Sequence, residues 1–504
     1  MSGTHNILVV SDLHLGEDLS PSATEETSRD LRVAERQLVQ FLRKYTRRRA
    51  DGRPWRLVIN GDMVDFLTIC VFPDKHAVLR DIEHSHDERE HGLRRRKDAA
   101  GIKLDAVVDR HPDFFRALAR FLAVGNAVEV ISGNHDTEFY WSEIQERLRD
   151  RVARTWTSMA ASSRPGAATE LEVRAAIRFH RWFYYEPGVV WIEHGHQYDE
   201  CCSFEYNLNP VDARGEAIIP NVDTAGMRYV TNQIPEATPH GTEEWSFGGY
   251  LQFAAGLGWR GAWRLGRGYF LFALTLIRQW RKARISRSRR RRRALHRDQL
   301  RALSQTSPLD YDTLSELDAM QRPPVITNLR RLMQILMLDK TLVSLAAVFV
   351  VLVGLLALPL LWALLLAGAA VAGNHLAHQW LSRGRVIDAD VPLQIVPSRI
   401  LEHVDARYVI FGHTHIPIAQ QLDSDEQGER WYFNTGTWVP SGKPGLLRSF
   451  THVVIRRGKD GPVAALCQWR DGASRQFTPN WAPDESPSGE SAPGQAARAL
   501  IRAA

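Results

Sequence analysis

Apolar residues cluster in five short runs: 6–11 (NILVVS), 56–60 (RLVIN), 128–132 (VEVIS), 189–193 (VVWIE) and 407–411 (RYVIF). Runs this short and this rich in β-branched and aliphatic residues read as strands buried on both faces. Between them, residues 31–48 and 111–124 repeat apolar positions every three or four residues, the pattern of helices with one face on a core. Arg174–Tyr185 and the later segments RWYFNTG, SFTHVVIRR and AALCQWR read as further strands. The pattern predicts an α/β fold: a two-sheet β-sandwich flanked by helices, not one doubly wound sheet.

The middle of the chain follows a different pattern. From residue 250 to 280, Trp, Phe, Leu and Gly alternate with Arg260, Arg264, Arg267 and Arg278, which suits an amphipathic helix in an interface. Between Arg281 and Arg293, nine of thirteen residues are Arg or Lys. A linker is expected over 303–327. Residues 341–374 then carry no charge, and Pro359 divides them nearly in half. That stretch is too long for one upright helix in a core of about 30 Å and barely long enough for two crossings. One reading is a tight hairpin turning near Leu358 and Pro359; others are a single kinked span and a buried soluble helix. A single span would leave residues 1–340 and 375–504 on opposite sides. Domain boundaries follow: 1–245 and 385–475 as two parts of a catalytic domain, 246–384 as a membrane-associated insertion, and 476–504 as a disordered tail rich in Pro, Ser and Gly.

The net charge of +6 is modest for 504 residues, so the basic run matters more than the total. Four cysteines, two of them adjacent, fit a reducing compartment. The N-terminus shows no export signal, and the expected location is the cytosolic face of a membrane, where the basic run meets anionic headgroups.

Each strand-like run ends in a polar cluster: Asp12 and His14; Asp62 and Asp65; Asn134, His135 and Asp136; His194 and His196; His413 and His415. Strand ends are where layered α/β folds place their sites. Carboxylate, imidazole and amide oxygen suit borderline divalent ions. The order D-x-H, G-D-x-x-D, G-N-H-D, a later H and G-H-x-H resembles the calcineurin-like metallophosphoesterase family, over roughly residues 5–200 and 400–470. The motif order is similar to that of UDP-2,3-diacylglucosamine pyrophosphatases, a group that carries Arg at the position of His135. The resemblance implies two divalent metal ions, manganese first, with iron, zinc or nickel as alternatives. It implies Asp62 bridging them, with Asp12, His14 and His415 on one and Asn134, His194 and His413 on the other. It assigns His135 to the leaving oxygen or the phosphoryl group, with Asp136 orienting it. Asp65 is expected to hold a ligand or loop in place, and His196 either to touch phosphate or to cap its loop. His84, His86 and His91 sit in a charged segment and read as solvated or lid residues.

The expected activity is hydrolysis of a phosphomonoester, phosphodiester or pyrophosphate. The membrane-associated residues 250–384 favour a lipid-linked substrate. A phosphoesterase for soluble nucleotides or nucleic acid, merely anchored to the membrane, is an alternative, and a noncatalytic membrane scaffold is another. The basic run has few interleaved aromatics, so any nucleic-acid binding would be nonspecific.

Overall fold

Strands β1 (Asn6–Val10), β2 (Trp55–Asn60) and β3 (Ala127–Ile131) fall on the first three apolar runs and lie parallel, side by side. The computed structural model describes residues 4–73, 84–234, 256–382, 390–425, 428–440, 449–458 and 461–479. Residues 480–504, most of the expected tail, lie outside them, as do 250–255 of the amphipathic segment. Among the described residues the chain is mixed α/β, with two mixed sheets and fourteen helices.

The first sheet extends β1–β3 with β4 (Ile177–His180), β10 (Thr451–Gly458), β11 (Gly461–Arg470) and β12 (Ala473–Gln476), in the order β12-β11-β10-β1-β2-β3-β4. The second contains β5 (Phe183–Glu186), β6 (Val190–Glu193), β7 (Tyr408–Phe411), β8 (Ile418–Asp425) and β9 (Gly428–Asn434), in the order β5-β6-β7-β9-β8. Ile7 and Val9 share a core cluster with Val190, Ile192 and Ile410 of the second sheet, so the two sheets face each other. Leu8 and Val10, pointing the other way by the two-residue period of a strand, join a cluster with helical Phe41 and Phe115. Burial on both faces is why these runs lack polar alternation.

Helices α1 (Glu25–Arg47), α2 (His86–His91), α3 (Lys97–Arg110), α4 (Pro112–Ala123), α5 (Ser142–Thr157) and α6 (Glu170–Ala175) accompany the first sheet in sequence. α1 begins earlier than its apolar repeat because the Thr24 side chain accepts from the Thr27 N–H. Arg174–Tyr185, expected as one strand, is instead the end of α6 followed by β4 and β5, one in each sheet. A capping box between Thr169 and Glu172 starts that helix, a signal outranked by the β-branched residues after it.

The expected insertion is mainly helical, with α8 (Gly258–Ala283), α9 (Ser286–Thr306), α10 (Tyr311–Ala319), α11 (Leu329–Ile335), α12 (Leu338–Ala357) and α13 (Leu360–Ser382), preceded by α7 (Val222–Tyr229) and followed by α14 (Asp390–Leu401). The linker expected over 303–327 is largely helix. Asp310 caps α10 by accepting from the Thr313 N–H, and Leu314 and Leu317 are fully buried against the second sheet's outer face. α8 packs on α7, and a side chain at Gly268 would overlap the Tyr229 carbonyl.

α12 and α13 form an antiparallel hairpin that turns at Leu358 and Pro359, the first of the arrangements the sequence leaves open. Gly354 packs against Leu366 near the turn, and at the open end Ser344 Oγ lies 3.0 Å from His378 Nε2. Both helices are apolar, with mean hydropathy of 2.4 and 1.6, and only 6% of each apolar window is buried.

Candidate metal centre

The clusters at the ends of β1, β2, β3, β6 and β7 converge. Five of the seven expected ligands hold their backbone in the left-handed region, which disfavours side chains: Asp12 (φ 54°), His14 (43°), Asp62 (53°), His413 (70°) and His415 (60°). Each such residue costs on the order of 1–2 kcal/mol. That cost, concentrated at one place, marks the loops as shaped for the side chains they aim. Glycines make the approach possible. A Cβ on Gly61 would overlap the His194 ring, and one on Gly133 would overlap the Asp62 carboxylate.

Asp62 stands in the middle. Its Oδ2 lies 3.2 Å from His194 Nε2 and 4.0 Å from His14 Nε2, and its Oδ1 accepts the His135 backbone N–H. On one side, His415 Nε2 lies 3.1 Å from Asp12 Oδ1 and 3.2 Å from His14 Nε2. On the other, His194 Nε2 lies 3.2 Å from Asn134 Oδ1. Ligand atoms of Asp12, His14 and His415 fall within 4.8 Å of one another, as do those of Asp12, Asp62 and His194.

Tautomers decide what these contacts mean. His14 Nδ1 lies 3.1 Å from Asp65 Oδ2, and His194 Nδ1 lies 2.9 Å from the Asn60 carbonyl. Both acceptors require Nδ1 to carry the proton. In the neutral rings the Nε2 lone pairs then point at each other's neighbours and at carboxylate oxygens, acceptor against acceptor. At His194 a cation, or protonation of the ring, relieves that arrangement, while His14 Nε2 accepts from His415 Nε2 or meets a cation. In its absence burial disfavours His194's charge, but Asp62 outweighs burial and raises the imidazole to about 9. Burial likewise opposes the Asp62 charge, yet His194, His135 and His14 hold its carboxyl well below the usual range. The donor set of carboxylates, imidazoles and an amide oxygen therefore fits divalent metal ions.

His413 borders this centre. Its ring centroid is 5.4 Å from that of His194, its backbone N–H donates to Asp12 Oδ2, and its Nε2 lies 3.2 Å from Asp199 Oδ2. His196 is buried, with Nε2 3.2 Å from Asn207 Oδ1, inside the loop after β6. That contact is of the kind a loop cap makes.

One expected pairing is corrected. Asp136 does not orient His135: its Oδ1 accepts the Gly133 N–H at 2.6 Å and its Oδ2 the Met63 N–H at 2.8 Å, tying the β2 and β3 loops together. Burial and then the nearby Asp62 charge push its carboxyl up to about 7. Asp65 takes the orienting place, with Oδ1 3.0 Å from His135 Nδ1 while its Oδ2 faces His14. His91 also departs from expectation. It is buried in α2 near Asp87, although the side chain of His86 is exposed as expected.

Two residues of the centre went unrecognised in the sequence. Asp199 faces His413, and Asp223 accepts from Asn134 Nδ2 at 3.1 Å and lies 4.0 Å from His135 Nε2. The pattern Asn221-x-Asp223, an N-cap followed by an acidic first turn, is the signal that could have located the second. Arg95, fully buried, joins the periphery by donating to the Asn134 carbonyl and gripping Glu138 in a bidentate pair.

Neither the scan of family models nor the search of curated proteins finds a match to this chain.

Proposed function

We propose that this protein is a dinuclear-metal phosphoesterase of the calcineurin-like type, acting at a membrane surface on a lipid-linked phosphoester or pyrophosphate. The observation that carries the reading is the confrontation of the His194 Nε2 lone pair with the oxygens of Asp62 and Asn134, with Nδ1 of His194 and of His14 already committed to outer acceptors. Asp12, His14 and His415 would hold one ion, Asn134 and His194 the other with His413 at its edge, and Asp62 would bridge. Bound there, divalent cations supply charge stabilisation at phosphorus and an acidified water.

The protein's own groups supply the rest. His135 has Nδ1 3.0 Å from Asp65 Oδ1 and Nε2 4.0 Å from Asp223 Oδ2. That leaves Nε2 as the atom to hand a proton to the departing oxygen. Asp223 keeps the Asn134 amide oriented, since accepting from Nδ2 turns Oδ1 inward.

The membrane part rests on the hairpin. At 1.5 Å per residue, twenty-residue α12 and twenty-three-residue α13 are roughly 30 and 34 Å long, which matches a bilayer core. Their side chains, including Phe349, Leu356 and Trp362, are exposed, and a surface this apolar needs lipid or protein to cover it. Arg289, Arg290, Arg291 and Arg293 on α9 are exposed too, which suits contact with anionic headgroups.

The test is hydrolysis by metal-reconstituted protein of a generic diester, nucleotides and lipid pyrophosphates, comparing wild type with Asp62→Ala. Turnover by the wild type that is lost in the variant is expected; equal inactivity on every substrate would refute the catalytic reading.

A further inference from the structure

A cavity of about 540 Å³ lies between α8 and the body that carries the metal centre. Its size is that of a site for a small organic ligand. None of the expected metal ligands lines it, so it is a separate chamber. Arg95 stands in the wall between them, lining the cavity and bonded to the Asn134 carbonyl.

Its lining is divided in character. α8 contributes Leu271, Leu274, Thr275, Arg278 and Lys282, spaced three or four apart and therefore on one helical face. That face is apolar at its start and cationic at its end, over a length of roughly 16 Å. Phe66, Ile69 and Phe204 add apolar surface from the body.

Pairing neutralises some of the positive charge. Arg94 and Arg228 share Asp87, Arg292 holds Glu205, and Arg95 holds Glu138. Lys103, Arg278 and Lys282 have no carboxylate partner among the described residues. Arg278 and Lys282 are exposed. Lys103 is only 4% exposed, and its ammonium donates to the Phe66 carbonyl at 2.7 Å. A buried ammonium with one carbonyl and no counter-ion is an unfavourable arrangement for a fold to keep. Next to an open chamber with an apolar wall, it is what an anionic ligand would complete.

We infer that this cavity binds an anionic amphiphile, its negative charge balanced by Lys103, Arg278 and Lys282 and its hydrocarbon lying among Leu271, Leu274, Phe66 and Ile69. This goes beyond the phosphoesterase reading and stands apart from it, because the chamber needs no metal. It gives the lipid-facing insertion a second task besides anchoring.

The experiment uses the full chain in phosphatidylcholine nanodiscs and a laurate carrying a terminal diazirine. Photolysis is expected to label peptides containing Phe66–Cys70 or Leu271–Lys282. Unlabelled laurate should suppress that labelling at least about tenfold better than dodecanol, since a charge-assisted contact is worth at least that much. Lys103→Met and the surface variant Lys282→Glu should each weaken labelling, and Asp62→Asn should not. The last variant separates this site from the catalytic reading, which can fail while labelling persists. Label confined to α12 and α13, equal competition by dodecanol, or labelling indifferent to both lysine variants would overturn the inference.

Discussion

Lys103→Met should make the ligand-free protein more stable near neutral pH and less responsive to alkali. Burial drives the Lys103 ammonium from its ordinary 10.5 down to about 8 in the folded chain, while the unfolded chain keeps the ordinary value. Between those two values the unfolded state binds more protons than the folded one, so stability rises with pH across that window. Below about pH 8 both states carry the charge, and the fold bears the full penalty. The gap corresponds to roughly 3 kcal/mol at about 1.4 kcal/mol per pH unit. Methionine is nearly isosteric and carries no charge. It forfeits the charge-assisted bond to the Phe66 carbonyl, about 2 kcal/mol, so the expected net gain at pH 7 is about 1 kcal/mol.

The assay is thermal unfolding of wild type and variant in the same nanodiscs at pH 7, 8, 9 and 10. For a chain this long, about 1 kcal/mol corresponds to a degree or two at most. The variant should melt higher at pH 7, and the difference should shrink toward pH 10 and change sign once Lys103 is neutral and the lost hydrogen bond is all that remains. Comparing the two proteins at each pH cancels every other titrating group. A difference that stays constant from pH 7 to 10 would show that Lys103 already has a counter-ion, and the argument for an unfilled anionic site would go with it.

Other outcomes follow from the same geometry. Asp65→Asn leaves one accepting oxygen where two face His14 and His135, so metal affinity and turnover should both fall by about 10–100-fold, as measured by metal titration and diester hydrolysis. Asp136→Asn loses one of two backbone contacts and should lower the melting temperature by the equivalent of about 1–3 kcal/mol, while bound-metal content stays near that of the wild type. Replacing residues 345–373 with a short Gly/Ser linker, which Ser344 and Asn374 at 3.3 Å can accept, should shift the chain from membrane to soluble fractions without abolishing hydrolysis of a soluble diester. Gly268→Val should force α8 away from the Tyr229 carbonyl and raise protease sensitivity in the insertion.

The five strand runs were legible because central strands buried on both faces leave no room for polar alternation, and the polar clusters were legible because they sit where those strands stop. Side-chain direction was not. Asp136 follows His135 directly, but the chain turns between them, and the carboxylate faces Gly133 and Met63 while Asp65, seventy residues earlier in sequence, reaches the imidazole. Asp199 and Asp223 went unnoticed because loop residues reveal their partners only after the loops have packed. The region 303–327 looked like a linker because α10 is short, and its two buried leucines acquire meaning only beside the second sheet.

β6 and β7 are neighbours in one sheet, paired in parallel from Val190 with Tyr408 to Ile192 with Ile410. Parallel neighbours need a crossover from the end of one strand to the start of the next. Everything between Glu193 and Tyr408 is therefore one enlarged crossover, with α14 as its return limb. The chain leaves beside His194, at the candidate metal centre, and returns to a strand that ends beside His413 and His415. Such a crossover can carry a membrane hairpin only if both hairpin legs start and finish on the same side, which is how α12 and α13 are arranged. If the segment enters a bilayer, the β6–β7 pair requires an even number of crossings between Glu193 and Tyr408. A single crossing within residues 341–374, uncompensated by another in the crossover, would separate β6 from β7.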